Sequence, residues 1–138
     1  MLYAIQNSKL LLAVDSLGAQ MMHLQTVDGR EYLWQGDAAY WPDRAPVLFP
    51  FIGRLTQNRY RYEGQEYPMG IHGFAAQQEF TCRIHDSDRL VLELTDNPET
   101  RRQYPFSFLF AITYQLVEDR VEISYQVENH SEKVMCFG

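Results

Sequence analysis

The stretch 104–116 constrains the fold more than any other part of the chain. Aromatic or branched side chains occupy every even position in it from Phe106 to Tyr114. A β-strand places alternate residues on one face, so these side chains share a face. Glu118 and Asp119 then form a turn, and apolar residues alternate with polar ones again over 121–128. Two long strands with one aromatic face need a second layer to cover it. The pattern predicts an antiparallel sheet within a β-sandwich.

The remainder of the chain also has the pattern of an all-β protein. No apolar repeat at helical spacing follows a capping residue. Its 138 residues suit one domain, 1–138, with a substantial core. Short runs separated by turn residues predict further strands and hairpins at 10–14, 20–25, 59–62, 66–67, 79–85 and 89–94.

Composition excludes several classes of function. The formal net charge is −6, and Arg101 and Arg102 are the only adjacent basic residues, so nucleic acid and anionic membranes are poor partners. No apolar run approaches the ~18 residues of a membrane helix, and the N-terminal residues lack a signal-peptide pattern. Cys82 and Cys136 have neither disulfide-framework nor metal-site spacing. We expect a cytoplasmic protein with reduced thiols.

The segment 36–53 differs from the predicted strands. Pro42, Pro46 and Pro50 fall within nine residues, which forbids a regular central strand. The segment is also rich in aromatic side chains. A long aromatic loop either forms a binding surface or covers one end of a sandwich. The sequence leaves both interpretations open.

Arg54 and His72 are the residues whose surroundings suit a ligand. Arg54 follows the apolar run PVLFPFIG, and His72 lies between Gly70 and Gly73, which permit a tight turn. Aromatic rings can stack on a sugar while fixed donors bind its hydroxyl groups. Spacing alone nevertheless favours a structural role over a neutral polyol site. The other histidines, His23, His85 and His130, are expected to be structural or superficial.

Several short motifs follow one another in a specific order. They are EYLWQG at 31–36, Tyr40-Trp41, PVLFP at 46–50, Ile52-Gly-Arg54 and His72-Gly-Phe-Ala75. This series, which continues through Tyr104-Pro-Phe106 and Val127-x-Asn129, resembles the aldose 1-epimerase (galactose mutarotase) family, and more narrowly its LacX-like branch. The resemblance covers essentially the whole chain. It implies a galactose mutarotase-like antiparallel β-sandwich, of which this chain is the N-terminal half.

The resemblance also implies a chemistry. Members interconvert the α and β anomers of free sugars without a cofactor. A carboxylate removes the proton of the anomeric hydroxyl while a histidine protonates the ring oxygen, and the sugar ring opens and closes again. The expected partner is therefore a small-molecule sugar, either free or phosphorylated, and no metal is expected.

Site residues follow from the same resemblance. His72 matches an auxiliary histidine that hydrogen-bonds the sugar. Arg54 matches an arginine of the cleft, with Arg59 as the alternative because Asn58-Arg59 resembles an Asn-Arg pair of the classical enzymes. Trp41 and Phe74 are candidate cleft walls, together with Trp34 and Phe49.

Two departures from the family pattern limit the prediction. The principal histidine is expected in a motif resembling Gly-Gly-His-Pro-Ala-Phe after Gly138, and the carboxylate base further on. Ala76 stands where the family usually has arginine. The chain alone is thus expected to be inactive, supplying sugar-positioning residues to a longer enzyme. The alternatives are a non-catalytic carbohydrate-binding module and a structural or assembly remnant without ligand.

Self-association is a further expectation. Half of a sandwich leaves strand edges unpaired and one apolar sheet face uncovered, which favours association. The aromatic face of 106–114 is the surface on which this expectation rests.

Overall fold

The computed structural model describes all residues, 1–138, and contains nine strands in three antiparallel sheets. The first sheet has the order β1-β2-β3, and the last has the order β6-β7-β8-β9. Between them lies the β4-β5 hairpin. The strands are β1 (Leu2–Gln6), β2 (Leu10–Asp15), β3 (Gln20–Thr26), β4 (Arg59–Tyr62), β5 (Gln65–Pro68), β6 (Thr81–His85), β7 (Arg89–Thr95), β8 (Phe108–Val117) and β9 (Arg120–Asn129). The predicted antiparallel all-β architecture is confirmed.

Two elements were not predicted. Strand β1 contains only one buried residue, Ile5, and therefore lacks a clear alternation. The helix α1 (Pro98–Gln103) has six residues, too few for an apolar repeat. The sequence feature that favours this helix is its N-cap residue, Asn97, whose side chain accepts hydrogen bonds from the backbone amides of Glu99 and Thr100. No helix of the structure is long and apolar enough to span a bilayer.

The aromatic face of β8 forms the centre of the core. Phe108 and Ile112 are fully buried, and the Tyr114 hydroxyl donates a 2.6 Å hydrogen bond to the Ala19 carbonyl beside the first sheet. The Phe49 ring stacks on Phe110 with centroids 4.4 Å apart. Burying each such side chain stabilises the fold by about 1.5–3 kcal/mol. Since Phe49 is only 3% exposed, this part of the 36–53 segment covers the sheet, one of its two predicted roles.

The two sheets are tied together on the side of β1 and β6. The Gln6 amide donates to the Ser87 carbonyl at 2.6 Å, and the Phe80 amide donates to the Ser16 carbonyl at 2.8 Å. The His85 ring contacts the Ala4 carbonyl at 2.8 Å. Backbone hydrogen bonds therefore fix the sheets relative to each other along this side.

Candidate functional site

His72 and Gly53 form a clasp between two loops. The His72 amide donates to the Gly53 carbonyl at 2.8 Å, and the Gly53 amide donates to Nδ1 of the His72 ring at 2.9 Å. His72 has a φ of 64°, a left-handed conformation that is uncommon for residues other than glycine. The two hydrogen bonds hold the half-buried imidazole in one orientation.

The clasp also determines the tautomer of His72. Nδ1 accepts a hydrogen bond from the Gly53 amide, so the hydrogen of the neutral ring lies on Nε2. No group of the chain bonds to Nε2 in the structure. His72 therefore presents one free N–H donor from a fixed ring, which suits a hydroxyl or ring oxygen of a ligand.

Arg54 directly follows the clasp. Its side chain is exposed, and Nη1 donates to Oδ1 of Asn58 at 3.0 Å. The remaining guanidinium donors have no partner in the chain. Because Arg54 follows Gly53 in the chain, its backbone adjoins the clasp, while its guanidinium contacts Asn58. Together Arg54 and His72 offer several N–H donors and no acceptor.

Arg59 lies on the β4-β5 hairpin and has other partners. Nη1 donates to Oε2 of Glu66 at 3.0 Å, and Nη2 donates to the Gln57 side chain. The guanidinium is thereby held along the hairpin by a carboxylate. Of the two alternative arginines, Arg54 is the one that directly adjoins the His72 clasp.

The position of Phe74 differs from the prediction. Its side chain is 3% exposed, and its ring packs edge-on against Phe49 with centroids 6.0 Å apart. The preceding Gly73 permits this packing, since a Cβ there would lie 2.2 Å from the Phe49 carbonyl oxygen. Phe74 and Phe49 belong to the core in this structure, and we assign neither ring a contact with a ligand.

Trp41 belongs to a separate aromatic surface. Trp41 is 45% exposed, and its carbonyl accepts a 2.9 Å hydrogen bond from Nε1 of Trp34. Trp34 in turn packs edge-on against the exposed Tyr40. No hydrogen bond or ring contact joins this group to His72. The structure therefore does not bring Trp41 and His72 into one described site.

Glu31 is the carboxylate with the largest number of hydrogen-bond partners. Oε1 accepts from the amides of Leu24 and Leu33 at 3.0 and 2.9 Å, and Oε2 lies 3.0 Å from Nδ1 of His23. Although burial opposes ionisation, these hydrogen bonds lower the pKa of Glu31 to about 2. A carboxylate that is ionised and fully engaged in this way is suited to structure and is a poor proton acceptor.

Gly53 and Asn58 are the site residues that sequence reasoning missed. Gly53 had only the signature of a turn residue, and its contact with His72 joins residues 19 positions apart. Asn58 was noticed only because Asn58-Arg59 resembles the Asn-Arg pair of the classical enzymes. In the structure its side chain accepts a hydrogen bond from Arg54. The structure contains no group of three or more histidine, cysteine, aspartate or glutamate residues positioned to hold a metal ion.

Comparison with solved structures identifies the class of fold. The chain superposes with a TM-score of 0.97 on a galactose mutarotase related enzyme from Lactobacillus acidophilus, at 36% identity. The match covers 99% of this chain and 46% of that one. A galactose mutarotase-like protein from Lactobacillus casei gives a TM-score of 0.96 at 34% identity, with 99% and 47% covered. The fold is a β-sandwich of the galactose mutarotase-like class.

Sequence comparison gives the family. The family model described as aldose 1-epimerase matches residues 1–138, and the chain belongs to this family. Protein LacX encoded on a plasmid of Lactococcus lactis subsp. lactis is 33% identical over 96% of this chain and 46% of its own length. The chain thus spans about half the length of the curated relatives that it matches.

Proposed function

We propose that this chain binds an aldose at the Gly53–His72 clasp and supplies sugar-positioning residues to an aldose 1-epimerase-like activity. That activity interconverts the α and β anomers by acid–base catalysis. The observation that carries the proposal is the free Nε2–H of His72, whose ring is held by a hydrogen bond from the Gly53 amide. The exposed Arg54 is the next residue along the chain from Gly53. Family membership supports a sugar as the ligand.

The donors define what the ligand must offer. Nε2 of His72 and the free N–H groups of Arg54 all donate, so they complement the oxygen atoms of a polyol. Asn58 limits the rotation of Arg54 by accepting from Nη1 at 3.0 Å. An arginine also binds phosphate with two parallel hydrogen bonds, so a phosphorylated aldose fits the same donors.

We assign His72 an auxiliary part in this chemistry and neither principal proton-transfer role to a residue of this chain. Glu31 is held ionised by four hydrogen-bonding groups, and Glu128 bonds to His130 on the exposed face of β9. Neither carboxylate contacts the clasp. The chain alone is therefore expected to bind sugar without accelerating anomerisation.

A titration followed by amide chemical shifts tests the binding. Glucose, galactose and glucose 6-phosphate are added separately, and the Gly53 and His72 amides are expected to shift saturably. His72→Asn is the sharpest variant, because its Oδ1 can still accept from Gly53 and asparagine tolerates positive φ. It lacks the Nε2 donor, so binding should weaken up to about tenfold, the value of one lost hydrogen bond.

Arg54→Met and Arg61→Met form a matched pair for the second donor. Both keep an apolar stem and lose a guanidinium, but Arg61 lies on the hairpin and pairs with Glu66. Only Arg54→Met should weaken binding, and a stronger effect for the phosphorylated sugar would identify the phosphate as its partner. If no sugar shifts the clasp amides, the positioning role is wrong.

Polarimetry of α-glucose or α-galactose separates positioning from catalysis. The wild-type chain should leave the rate of mutarotation at that of buffer. If the chain binds sugar and leaves that rate unchanged, the result agrees both with the positioning role and with the alternative of a non-catalytic binding module. An acceleration that His72→Asn abolished would instead assign proton transfer to this chain.

A further inference from the structure

Strand β9 has one long edge without a backbone partner. The Leu116 amide of β8 donates to Asp88 on the β7 side, and the His130 amide donates back to Ser107 on the β8 side. In an antiparallel ladder this alternation directs the even residues of β9 towards β8 and its odd residues outwards. The outward backbone groups belong to Val121, Ile123, Tyr125 and Val127, and no group of the chain bonds to them.

This edge lacks three of the features that prevent strand addition, namely a short strand, a bulge and a proline. β9 is ten residues long, pairs with β8 without a register shift, and contains no proline. Edges that natural proteins protect are short, bulged or interrupted by proline. By contrast the other edge of the same sheet, β6, has five residues and a register shift between Cys82 and Ile84.

An incompletely covered apolar strip runs along the inner face of β9. Tyr125 is 61% exposed, and Tyr125 and Val127 line a groove of about 390 Å³ beside residues 46–50. At the other end Val121 lines a second groove of about 540 Å³ with Leu10 and Leu24. Both grooves adjoin the unpaired edge, so a strand added there would cover both.

We propose that a second copy of this chain occupies the edge, with the two β9 strands paired antiparallel about a twofold axis. Ser124 lies opposite the partner's Ser124 in this pairing. Ile123 and Tyr125 face each other across the strands and exchange backbone hydrogen bonds, about eight in all. The two sheets then form one continuous eight-stranded sheet of the order β6-β7-β8-β9-β9-β8-β7-β6.

The charges on the outer face of β9 select this register. With Ser124 on the axis, Arg120 lies opposite the partner's Glu128, and the symmetry gives this ion pair twice. Glu122 lies opposite the partner's Gln126. Of the two neighbouring registers, the one with Tyr125 on the axis places Glu122 opposite the partner's Glu128 and brings like charges together. The other, with Ile123 on the axis, places Arg120 opposite the partner's Gln126 and forms no ion pair. A slip of one residue would turn the apolar strip towards solvent.

The same register covers the apolar strip. Val127 lies beside the partner's Val121, so each groove at an end of β9 receives a side chain from the other copy. This surface replaces the one on which the expectation of self-association rested. The aromatic face of 106–114 is not available, because Phe108 is fully buried and Phe106, Phe110 and Tyr114 are at most 3% exposed.

Light scattering and sedimentation equilibrium test the proposal on the 138-residue chain, over about 1–100 μM. The expected species has twice the chain mass of 16.2 kDa. Glu128→Arg and Arg120→Glu each place like charges opposite each other at two symmetric positions. Each should raise the dissociation constant about tenfold or more. The double variant Arg120→Glu/Glu128→Arg restores opposite charges and should restore the dimer.

Arg61→Glu is the control, because it reverses an exposed charge on the hairpin, away from β9. It should leave the dissociation constant unchanged, and circular dichroism should show the same fold for every variant. A monomeric wild-type chain at 100 μM would overturn the proposal. A dimer indifferent to the two reversals, or one that the double variant fails to restore, would overturn it equally.

Discussion

Strands β3 and β9 are the edge strands of the two sheets on the side opposite β1 and β6. They differ in whether their outward backbone groups have hydrogen-bond partners. The outward groups of β3 are bonded by the residues that follow it. The Tyr32 amide donates to the Leu24 carbonyl at 2.8 Å, and the Thr26 amide donates to the Arg30 carbonyl at 3.0 Å. The Leu24 amide donates to the Glu31 carboxylate. The outward groups of β9 have no such partners.

The difference originates in the path of the chain after each strand. After β3 the chain reverses at Asp28-Gly29 and returns along the edge, where Glu31 can reach two backbone amides. After β9 it turns away, and the Gly138 amide donates to the Pro50 carbonyl at 2.9 Å. One edge is therefore satisfied within the chain, and the other remains able to pair with another strand.

The largest expected effect concerns the segment that follows the covered edge. Phe49 anchors it in the core, in contact with Phe74, Tyr104, Phe108 and Phe110. Phe49→Ala should lower the free energy of unfolding by about 3–5 kcal/mol. Phe137 lies next to Phe49, with ring centroids 6.2 Å apart, but it is 53% exposed, so Phe137→Ala should lower the free energy of unfolding by about 1 kcal/mol or less.

Urea unfolding of both variants, at one protein concentration, measures this contrast. Two phenylalanine truncations of the same size differ only in where the ring lies. Equal losses would mean that the greater burial of Phe49 does not decide its contribution to stability.

The next largest effect on the free energy of unfolding is expected at Glu31, whose carboxylate bonds to backbone amides at the β3 edge. Glu31→Gln removes a charged acceptor that serves two amides, and should cost about 1–3 kcal/mol at neutral pH. Glu66→Gln is the matched control, because Glu66 is exposed and bonds only to arginine side chains. Its effect should stay below about 1 kcal/mol.

The pH dependence of stability follows from the pKa of Glu31. Folding lowers this pKa from 4.5 to about 2, so the carboxylate stabilises the fold fully above pH 4.5. This stabilisation is lost progressively as the pH falls towards 2. The free energy of unfolding of the wild type should decline more steeply than that of Glu31→Gln across this range. Parallel declines of the two proteins would show that Glu31 does not hold the edge.

The strands were predictable because their signals are local. β8 and β9 follow from alternation over ten residues each, and the turn at Glu118-Asp119 sits between them as expected. The segment that follows the Asp28-Gly29 turn was harder to predict. The turn suggests a regular hairpin, but the segment pairs with β3 only through an isolated bridge between Gln25 and Glu31. A polar side chain that bonds to backbone groups leaves no periodic pattern.

The residues of the candidate site could be predicted from the sequence, but the contacts between them could not. His72 and Arg54 stand out in sequence, yet the two hydrogen bonds that hold His72 come from Gly53, a residue without a side chain that precedes Arg54. Phe74 shows the opposite case. Its motif suggested a cleft wall, and the close approach of Gly73 to Phe49 places it in the core. Long-range backbone contacts decide both outcomes.

Amide hydrogen exchange should show the contrast between the edges residue by residue. In the Glu128→Arg variant, which we expect to be monomeric, the amides of Ile123 and Tyr125 point outwards and should exchange faster than those of Ser124 and Gln126. In the wild-type dimer this alternation should disappear at high protein concentration. Uniform exchange along β9 in the monomer would contradict the direction that we infer for its outward groups.

The Leu24 amide provides the corresponding test on β3. It points to the edge but donates to Glu31, so it should exchange slowly even in a monomer. Glu31→Gln weakens the acceptor and should accelerate this exchange about tenfold, equivalent to about 1.4 kcal/mol. An unchanged rate at Leu24 would mean that another group protects this edge.

Gln35 is the smallest contribution to the covered edge. Its Nε2 donates to the carbonyls of Met22 and Leu33 at 3.3 and 3.2 Å, and the side chain is exposed. Because both contacts are long and water can replace them, Gln35→Ala should change the free energy of unfolding by no more than about 0.5 kcal/mol. Urea unfolding beside Glu31→Gln measures the two contributions on one scale. A loss at Gln35 as large as that at Glu31 would show that the edge is covered by many weak contacts, whereas the expected result assigns its protection chiefly to one carboxylate.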